Sequence, residues 1–179
     1  MPQNVDALGR TWAAAPPGLR RRGFVSTFGG VDPSELYQAI ILEHSRHPRH
    51  HGACALATHH ARAENPTCGD EVEVHLRLSP EGRLEEVTFT GQGCALSQAS
   101  ASLLTVQVRG TARPEALALA ARVHRLLLGE ALLPEEIEAL GDLQALHGAA
   151  RYPQRVRCVT LAWQALNQAL ASPGGPAGA

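Results

Sequence analysis

Residues 71–90 read EVEVHLRLSPEGRLEEVTFT and decide the fold of the chain. In the first half, four apolar residues alternate with charged or polar ones: Val72, Val74, Leu76 and Leu78. A period of two is typical of a β-strand with one buried face. Residues 79–82 contain proline and glycine and predict a turn. Residues 84–90 are therefore the expected returning strand of a hairpin.

Outward from this hairpin the pattern becomes helical. Helices are predicted over residues 96–109 and 114–128, in a short segment after Pro134, and over 153–170. The face expected to be buried in the second helix is Leu117, Leu119, Ala120, Val123 and Leu127. In the last helix it is Val156, Val159, Trp163, Leu166 and Leu170.

Upstream of the hairpin, a weaker strand is expected near residues 57–63. An opening helix is predicted with Asp32 as its N-cap, Pro33 in its first turn and Pro48 beyond its end. Its expected apolar face is Leu36, Ile40, Ile41 and Leu42. Strands followed by helices predict an α+β domain with a small antiparallel sheet of about three strands, covered on one face by helices.

The two ends of the chain differ from its middle. Residues 1–30 contain the run Arg20-Arg21-Arg22 and no sustained periodicity. They could be an organellar transit peptide, but a disordered extension or a misassigned start is the preferred interpretation. The expected domain covers residues 31–171, and residues 172–179 are expected to form a disordered tail.

Composition excludes several classes of function. The chain has 179 residues, the size of one domain, and a formal charge of −1. The chain has no excess of positive charge, so a nucleic acid is not expected as a partner. No apolar stretch is long enough to span a bilayer, so a membrane is not expected either. The four cysteines could form two disulfides, but no signal-peptide core precedes the hairpin. A reducing compartment, the cytoplasm, is therefore predicted.

Three of these cysteines lie at turns or near helix starts. Cys68 precedes the first strand of the hairpin and Cys94 follows the second, so a hairpin places both at one end of the sheet. The last helix has only to pack on the sheet to bring Cys158 to them. With Asp70 they make four ligands, the number that zinc prefers. A helix start lowers the pKa of a thiol, and Arg155 and Arg157 are expected to act on Cys158 in the same direction.

Simpler interpretations exist for each of these residues. A single cysteine is more often a small buried apolar residue than a ligand, and Cys54 is interpreted as an ordinary thiol. Asp70 could be only a turn cap. The pairs His50-His51 and His59-His60 could form a second metal site, but solvated surface is the prediction. Trp163 is expected in the core.

Three segments carry a resemblance to a known family: NPTCGD at 65–70, GQGCALSQAS at 91–100 and RCVTLAW at 157–163. They resemble the signature segments of the SufU and IscU family, relatives of the N-terminal domain of NifU. The likeness covers roughly residues 33–170. It implies the compact α+β fold with a cysteine-rich site at one end of the sheet, and a role in iron–sulfur cluster assembly alongside a cysteine desulfurase.

Two features imply the SufU branch of this family. Arg157 stands where IscU-like scaffolds have a histidine, and residues 132–148 resemble the insertion typical of SufU, placed at about 130–150. SufU-like members resemble zinc-bound acceptors of persulfide sulfur from a SufS-like desulfurase, upstream of an assembly scaffold. By this resemblance Cys68 accepts the sulfur, and Cys68, Asp70, Cys94 and Cys158 hold the metal.

Three other functions remain open from the sequence. An IscU-like scaffold would bind iron and assemble a [2Fe–2S] cluster on the same ligands. A structural zinc protein would have no transfer role. A cysteine hydrolase would need a histidine and an Asn or Asp partner, and no such pairing is visible near a nucleophile motif.

Overall fold

The computed structural model describes residues 33–173, so the predictions for residues 1–30, the Asp32 cap and residues 174–179 lie outside the described residues. These described residues form three strands, five helices and one 3₁₀ segment. In chain order the elements are α1 Pro33–Arg46, β1 His59–Asn65, β2 Asp70–Leu78, β3 Leu84–Gln92, α2 Ala95–Val108, α3 Arg113–Leu127, α4 Pro134–Glu138, the 3₁₀ segment Gly141–Arg151 and α5 Pro153–Ala171.

The strands form one antiparallel sheet in the order β1-β2-β3. Val74 pairs with Ala61 on one side and with Phe89 on the other. The predicted hairpin is therefore confirmed, and the weaker strand exists two residues further along than expected. Asn65 pairs with Asp70 across the β1–β2 turn, so Cys68 lies at the tip of a hairpin. The predicted α+β fold with a three-stranded antiparallel sheet is confirmed.

Helices α2 and α5 cover the apolar face of the sheet. Val72, Val74 and Leu76 are fully buried, and α5 contacts β1 and β2 while α2 contacts β3. The predicted face of α5 is confirmed, except that Val156 is only half-buried. Trp163 lies in the core as expected, where its indole N–H donates to the Ser100 hydroxyl at 3.1 Å.

The predicted face of α1 is partly wrong. Leu36 and Leu42 are 52% and 46% exposed, and Ile40 and Ile41 are only half-buried. The buried residue is His44, whose ring nitrogen bonds to the Ser102 hydroxyl at 2.7 Å. The helix therefore meets α2 through a polar contact, which hydrophobic periodicity does not reveal.

The predicted face of α3 is confirmed at Ala120, Val123 and Leu127 and wrong in the first half of the helix. Leu117 is 40% exposed and Leu119 is half-buried. The buried stripe begins instead with Ala116 and continues through Ala120, Val123 and Leu127. Ala120 follows Ala116 by four residues and Leu117 by three, so helical periodicity alone does not distinguish the small alanine from the larger leucine.

Residues 134–151 extend the helical layer. The short helix after Pro134 is confirmed, and the 3₁₀ segment that follows was not predicted. It contacts α1, α3 and α5 and buries Leu143 and Leu146 fully. That residues of about 130–150 are an insertion stays a prediction. Within residues 33–173, each helix is too short or too polar to cross a membrane.

Candidate metal centre

Three of the four predicted ligands meet at the tip of the β1–β2 hairpin. One ligand atom from each of Cys68, Asp70 and Cys158 lies within 4.8 Å of the others. The sulfur atoms of Cys68 and Cys158 are 3.6 Å apart. Two thiolates on one tetrahedral zinc ion, each with a Zn–S distance of about 2.3 Å, stand about 3.8 Å apart. The spacing therefore suits a shared ion.

The hairpin turn holds Cys68 outward. The backbone N–H groups of Cys68 and Gly69 donate to the carbonyl oxygen of Asn65 at 3.3 and 2.9 Å. Gly69 has a φ of +73°, a left-handed conformation that glycine adopts without the strain of a side chain. The Cys68 thiol is consequently exposed, whereas Cys158 is only 8% exposed.

Asp70 is the buried anion of the cluster. It is 5% exposed, and its Oδ1 accepts the backbone N–H of Cys94 at 3.2 Å. Its Oδ2 is fully buried and accepts no hydrogen bond of normal geometry from the described residues. Burial raises the pKa of Asp70, but polar hydrogens of Cys94, Cys158 and Ser97 outweigh burial and hold that pKa below its usual value. A buried, charged carboxylate with one oxygen outside normal hydrogen-bond geometry fits a bound cation.

Cys94 lies beside this group rather than within it. It is the N-cap of α2, and its sulfur is not among the atoms that lie within 4.8 Å of one another. Its carbonyl accepts the Ser97 hydroxyl at 2.9 Å. Gly93, the residue before Cys94, allows the backbone to lie close to Asp70, because a Cβ at this position would stand 2.8 Å from Cγ of Asp70. That Cys94 completes the ligand set stays a prediction.

The expected lowering of the Cys158 pKa is wrong for the metal-free site. Burial raises the pKa of Cys158, and its contact with Cys68, the charge of Cys94 and the Asp70 carboxylate raise it further. Cys158 is the sixth residue of α5, so it lies beyond the first turn, where the helix dipole acts most strongly. Arg155 and Arg157 are exposed and do not offset these effects.

The other candidate residues lie elsewhere. All four cysteines are free, and Cys54 is buried in the loop before β1, near the far end of the sheet. His51 and His60 are exposed as predicted, but His50 and His59 are half-buried. His50 bonds to Thr105 at 3.1 Å, and His59 bonds to the Thr58 hydroxyl at 2.9 Å. Among residues 33–173, the Cys68, Asp70 and Cys158 cluster is the one group of three or more possible metal ligands.

Two residues near the cluster were missed by sequence reasoning. Asn65 and Ser97 are both buried, and each contacts a cysteine or the Asp70 carboxylate. Asn65 precedes a proline in a turn, a position where Asn bonds to nearby backbone. Ser97 follows Cys94 by three residues in the first turn of a helix. These positions indicate a turn and a helix start. They depend on neighbouring residues alone, so they do not reveal a role at the site.

The chain is thus an α+β domain with a small antiparallel sheet, and a cluster of two cysteines and one aspartate at a turn of that sheet could hold a metal ion. Residues 36–172 match the family described as the NifU-like N terminal domain. The match covers most of the chain, and the chain belongs to this family.

Two of the relatives of this chain have different described roles. The chain is 39% identical over 137 residues to the iron-sulfur cluster assembly scaffold protein IscU of Streptococcus pyogenes serotype M1, which covers 76% of this chain and 84% of the relative. It is 32% identical over 140 residues to the zinc-dependent sulfurtransferase SufU of Bacillus subtilis (strain 168), which covers 78% and 92%.

The fold is also shared with solved structures. A protein from Fervidobacterium islandicum AW-1, described as an iron-sulfur cluster assembly scaffold for the SUF system, aligns with a TM-score of 0.69 at 29% identity. That alignment covers 78% of this chain and 99% of the other. The N-terminal part of a NifU-like protein from Brucella abortus has a TM-score of 0.68 at 24% identity, over 77% and 94% of the two chains, and shares the fold.

Proposed function

We propose that this protein serves iron–sulfur cluster assembly as a zinc-dependent acceptor of persulfide sulfur from a cysteine desulfurase. Cys68, Asp70, Cys94 and Cys158 are the proposed zinc ligands, and Cys68 is the proposed sulfur acceptor. The observation that carries the proposal is the asymmetry of the two close thiols. Cys68 is exposed at a hairpin tip, and its sulfur lies 3.6 Å from the sulfur of the buried Cys158.

The donor set supports a divalent cation. Two thiols and a buried carboxylate converge, and the carboxylate oxygen Oδ2 has no other partner of normal geometry among the described residues. When bound, zinc keeps its thiol ligands deprotonated at neutral pH. Asp70 and Cys158 are both buried, so they suit the role of fixed anchors, while the exposed Cys68 suits the role of the exchangeable ligand.

The proposed reaction is a thiol exchange at Cys68. The Cys68 thiolate attacks the outer sulfur of the desulfurase cysteine persulfide. A new S–S bond forms on Cys68, the S–S bond of the desulfurase persulfide breaks, and the desulfurase cysteine leaves as a thiolate. The sulfur atom is transferred with no net oxidation or reduction, so no additional reactant is required. The Cys68 persulfide then passes to a downstream assembly scaffold.

An IscU-like scaffold is the second candidate, and the 39% identity to a protein of that name favours it. A [2Fe–2S] cluster would then be held by the same ligands in place of zinc. Arg157 supports the carrier instead. A guanidinium cannot act as a ligand, so the residue before Cys158 adds no donor to a cluster. In either case the thiols must stay reduced, and we propose the cytoplasm as the compartment.

Anaerobic purification followed by a desulfurase assay tests the proposal. We expect colourless protein with one zinc per chain, which increases the rate of alanine formation from cysteine by a SufS-like desulfurase and acquires a persulfide. Brown protein containing iron and sulfide would support the scaffold instead. Protein that unfolds when zinc is removed, but neither stimulates the desulfurase nor acquires sulfur, would indicate a structural zinc site.

A further inference from the structure

Asn65 contacts both halves of the cysteine pair. It is the last residue of β1 and only 6% exposed. Its side-chain Oδ1 accepts the backbone N–H of Thr67 at 3.1 Å, and its Nδ2 donates to the sulfur of Cys158 at 3.9 Å. One amide therefore connects the hairpin turn to a thiol that lies 93 residues away in sequence.

The backbone of Asn65 controls the other thiol. Its carbonyl oxygen accepts the N–H groups of Cys68 and Gly69, and the Cys68 thiol lies 3.9 Å from the same oxygen. Cys68 is thus held by the turn through its main chain. Its sulfur contacts the carbonyl oxygen of Asn65 and the sulfur of Cys158, and only Cys158 receives the side-chain N–H of Asn65.

The orientation of the amide follows from its partners. A backbone N–H can only donate, so the atom that faces Thr67 must be the amide oxygen. The NH₂ group then faces Cys158. An N–H donor aimed at the sulfur of Cys158 holds that sulfur in one position.

We propose that Asn65 is a positioning residue that fixes Cys158 and so directs incoming sulfur to Cys68. This inference rests on the proposed function. It explains why sulfur would be transferred to Cys68 and not to the adjacent Cys158. Burial limits access to Cys158, and the amide of Asn65 limits its movement. Without that amide, Cys158 competes with Cys68 for electrophiles.

Alkylation of the zinc-loaded full chain tests this inference. Limiting iodoacetamide is added, and the modification of Cys68, Cys158 and Cys54 is counted by peptide mass spectrometry. Asn65→Asp keeps an acceptor for Thr67 and loses the N–H donor to Cys158. Asn65→Ser keeps a shorter acceptor and cannot reach Cys158. Asn167→Asp makes the same chemical change at an exposed position of α5 and is the matched control.

We expect the ratio of Cys68 to Cys158 alkylation to fall by about tenfold in both Asn65 variants and to stay unchanged in Asn167→Asp. Buried Cys54, near the far end of the sheet, reports general loosening. Its alkylation should not rise. An unchanged ratio in the Asn65 variants would overturn the inference. A joint rise of Cys54 and Cys158, or the failure of both variants to fold, would also overturn it, because Asn65 would then act on the whole fold.

The same variants also separate this inference from the proposed function. After reaction with a desulfurase, the persulfide should appear partly on Cys158 in Asn65→Asp but only on Cys68 in the unsubstituted protein. If the unsubstituted protein accepts no sulfur at all, the proposed function fails, and the alkylation ratio still measures the role of Asn65.

Discussion

Replacing Cys68 by serine is expected to reduce sulfur acceptance from a cysteine desulfurase to background, a loss of at least about a hundredfold. A thiolate attacks the sulfur of a persulfide, and a serine hydroxyl stays protonated and is a far weaker nucleophile. Cys158 cannot readily substitute for Cys68, because it is buried and hydrogen-bonded to Asn65. The measurement is radiolabelled sulfur bound to the protein after incubation with labelled cysteine and the desulfurase.

Cys54→Ser is the control for this experiment. It makes the same substitution at a buried cysteine near the other end of the sheet, and it should accept sulfur normally. If Cys68→Ser bound as much sulfur as Cys54→Ser, Cys68 would not be the acceptor.

Replacing Cys158 by serine should weaken zinc binding by about a hundredfold. Structural zinc sites are worth roughly 10–16 kcal/mol, so one ligand in four contributes roughly 3 kcal/mol. Cys158 has a larger effect than an exposed ligand would, because it is held in place by the last helix and by Asn65. Competition with a chromophoric chelator measures the affinity.

The Cys54→Ser protein again provides the comparison. It should retain zinc as the unsubstituted chain does, whereas Cys158→Ser should lose zinc to a chelator of intermediate strength. Equal retention by the two variants would remove Cys158 from the ligand set and would leave Cys68, Asp70 and Cys94 as the proposed ligands.

Most of the fold followed from strand periodicity and turn chemistry. The alternation at Val72, Val74 and Leu76 predicted which face of β2 is buried, and all three residues are fully buried. Helix faces were harder to predict. In α1 the buried contact is made by His44 rather than by a leucine, and in α3 it begins at a small alanine. Which residue of a helix is buried depends on the side chains of the neighbouring helix. The hydrophobic periodicity of a single segment does not contain that information.

The candidate site was predictable to the level of main-chain topology. A hairpin places its two outer ends together, so the sequence predicts Cys68 and Cys94 at one end of the sheet, where Cys158 of the last helix can reach them. Side-chain detail was not predictable. The position of Cys94 outside the closest cluster depends on the cap of α2, and the raised pKa of Cys158 depends on burial among other acidic groups. The double contact of Asn65 needs the turn and α5 in place together.

Zinc X-ray absorption of the freshly purified protein tests the central claim most directly. If Cys68, Asp70, Cys94 and Cys158 share one ion, the spectrum should require three sulfur ligands at about 2.3 Å and one oxygen at about 2.0 Å. In Asp70→Ala, the contribution of the Asp70 carboxylate oxygen to the spectrum should be lost. A zinc shell with fewer than three sulfur atoms, or protein that binds no metal at all, would contradict the shared site.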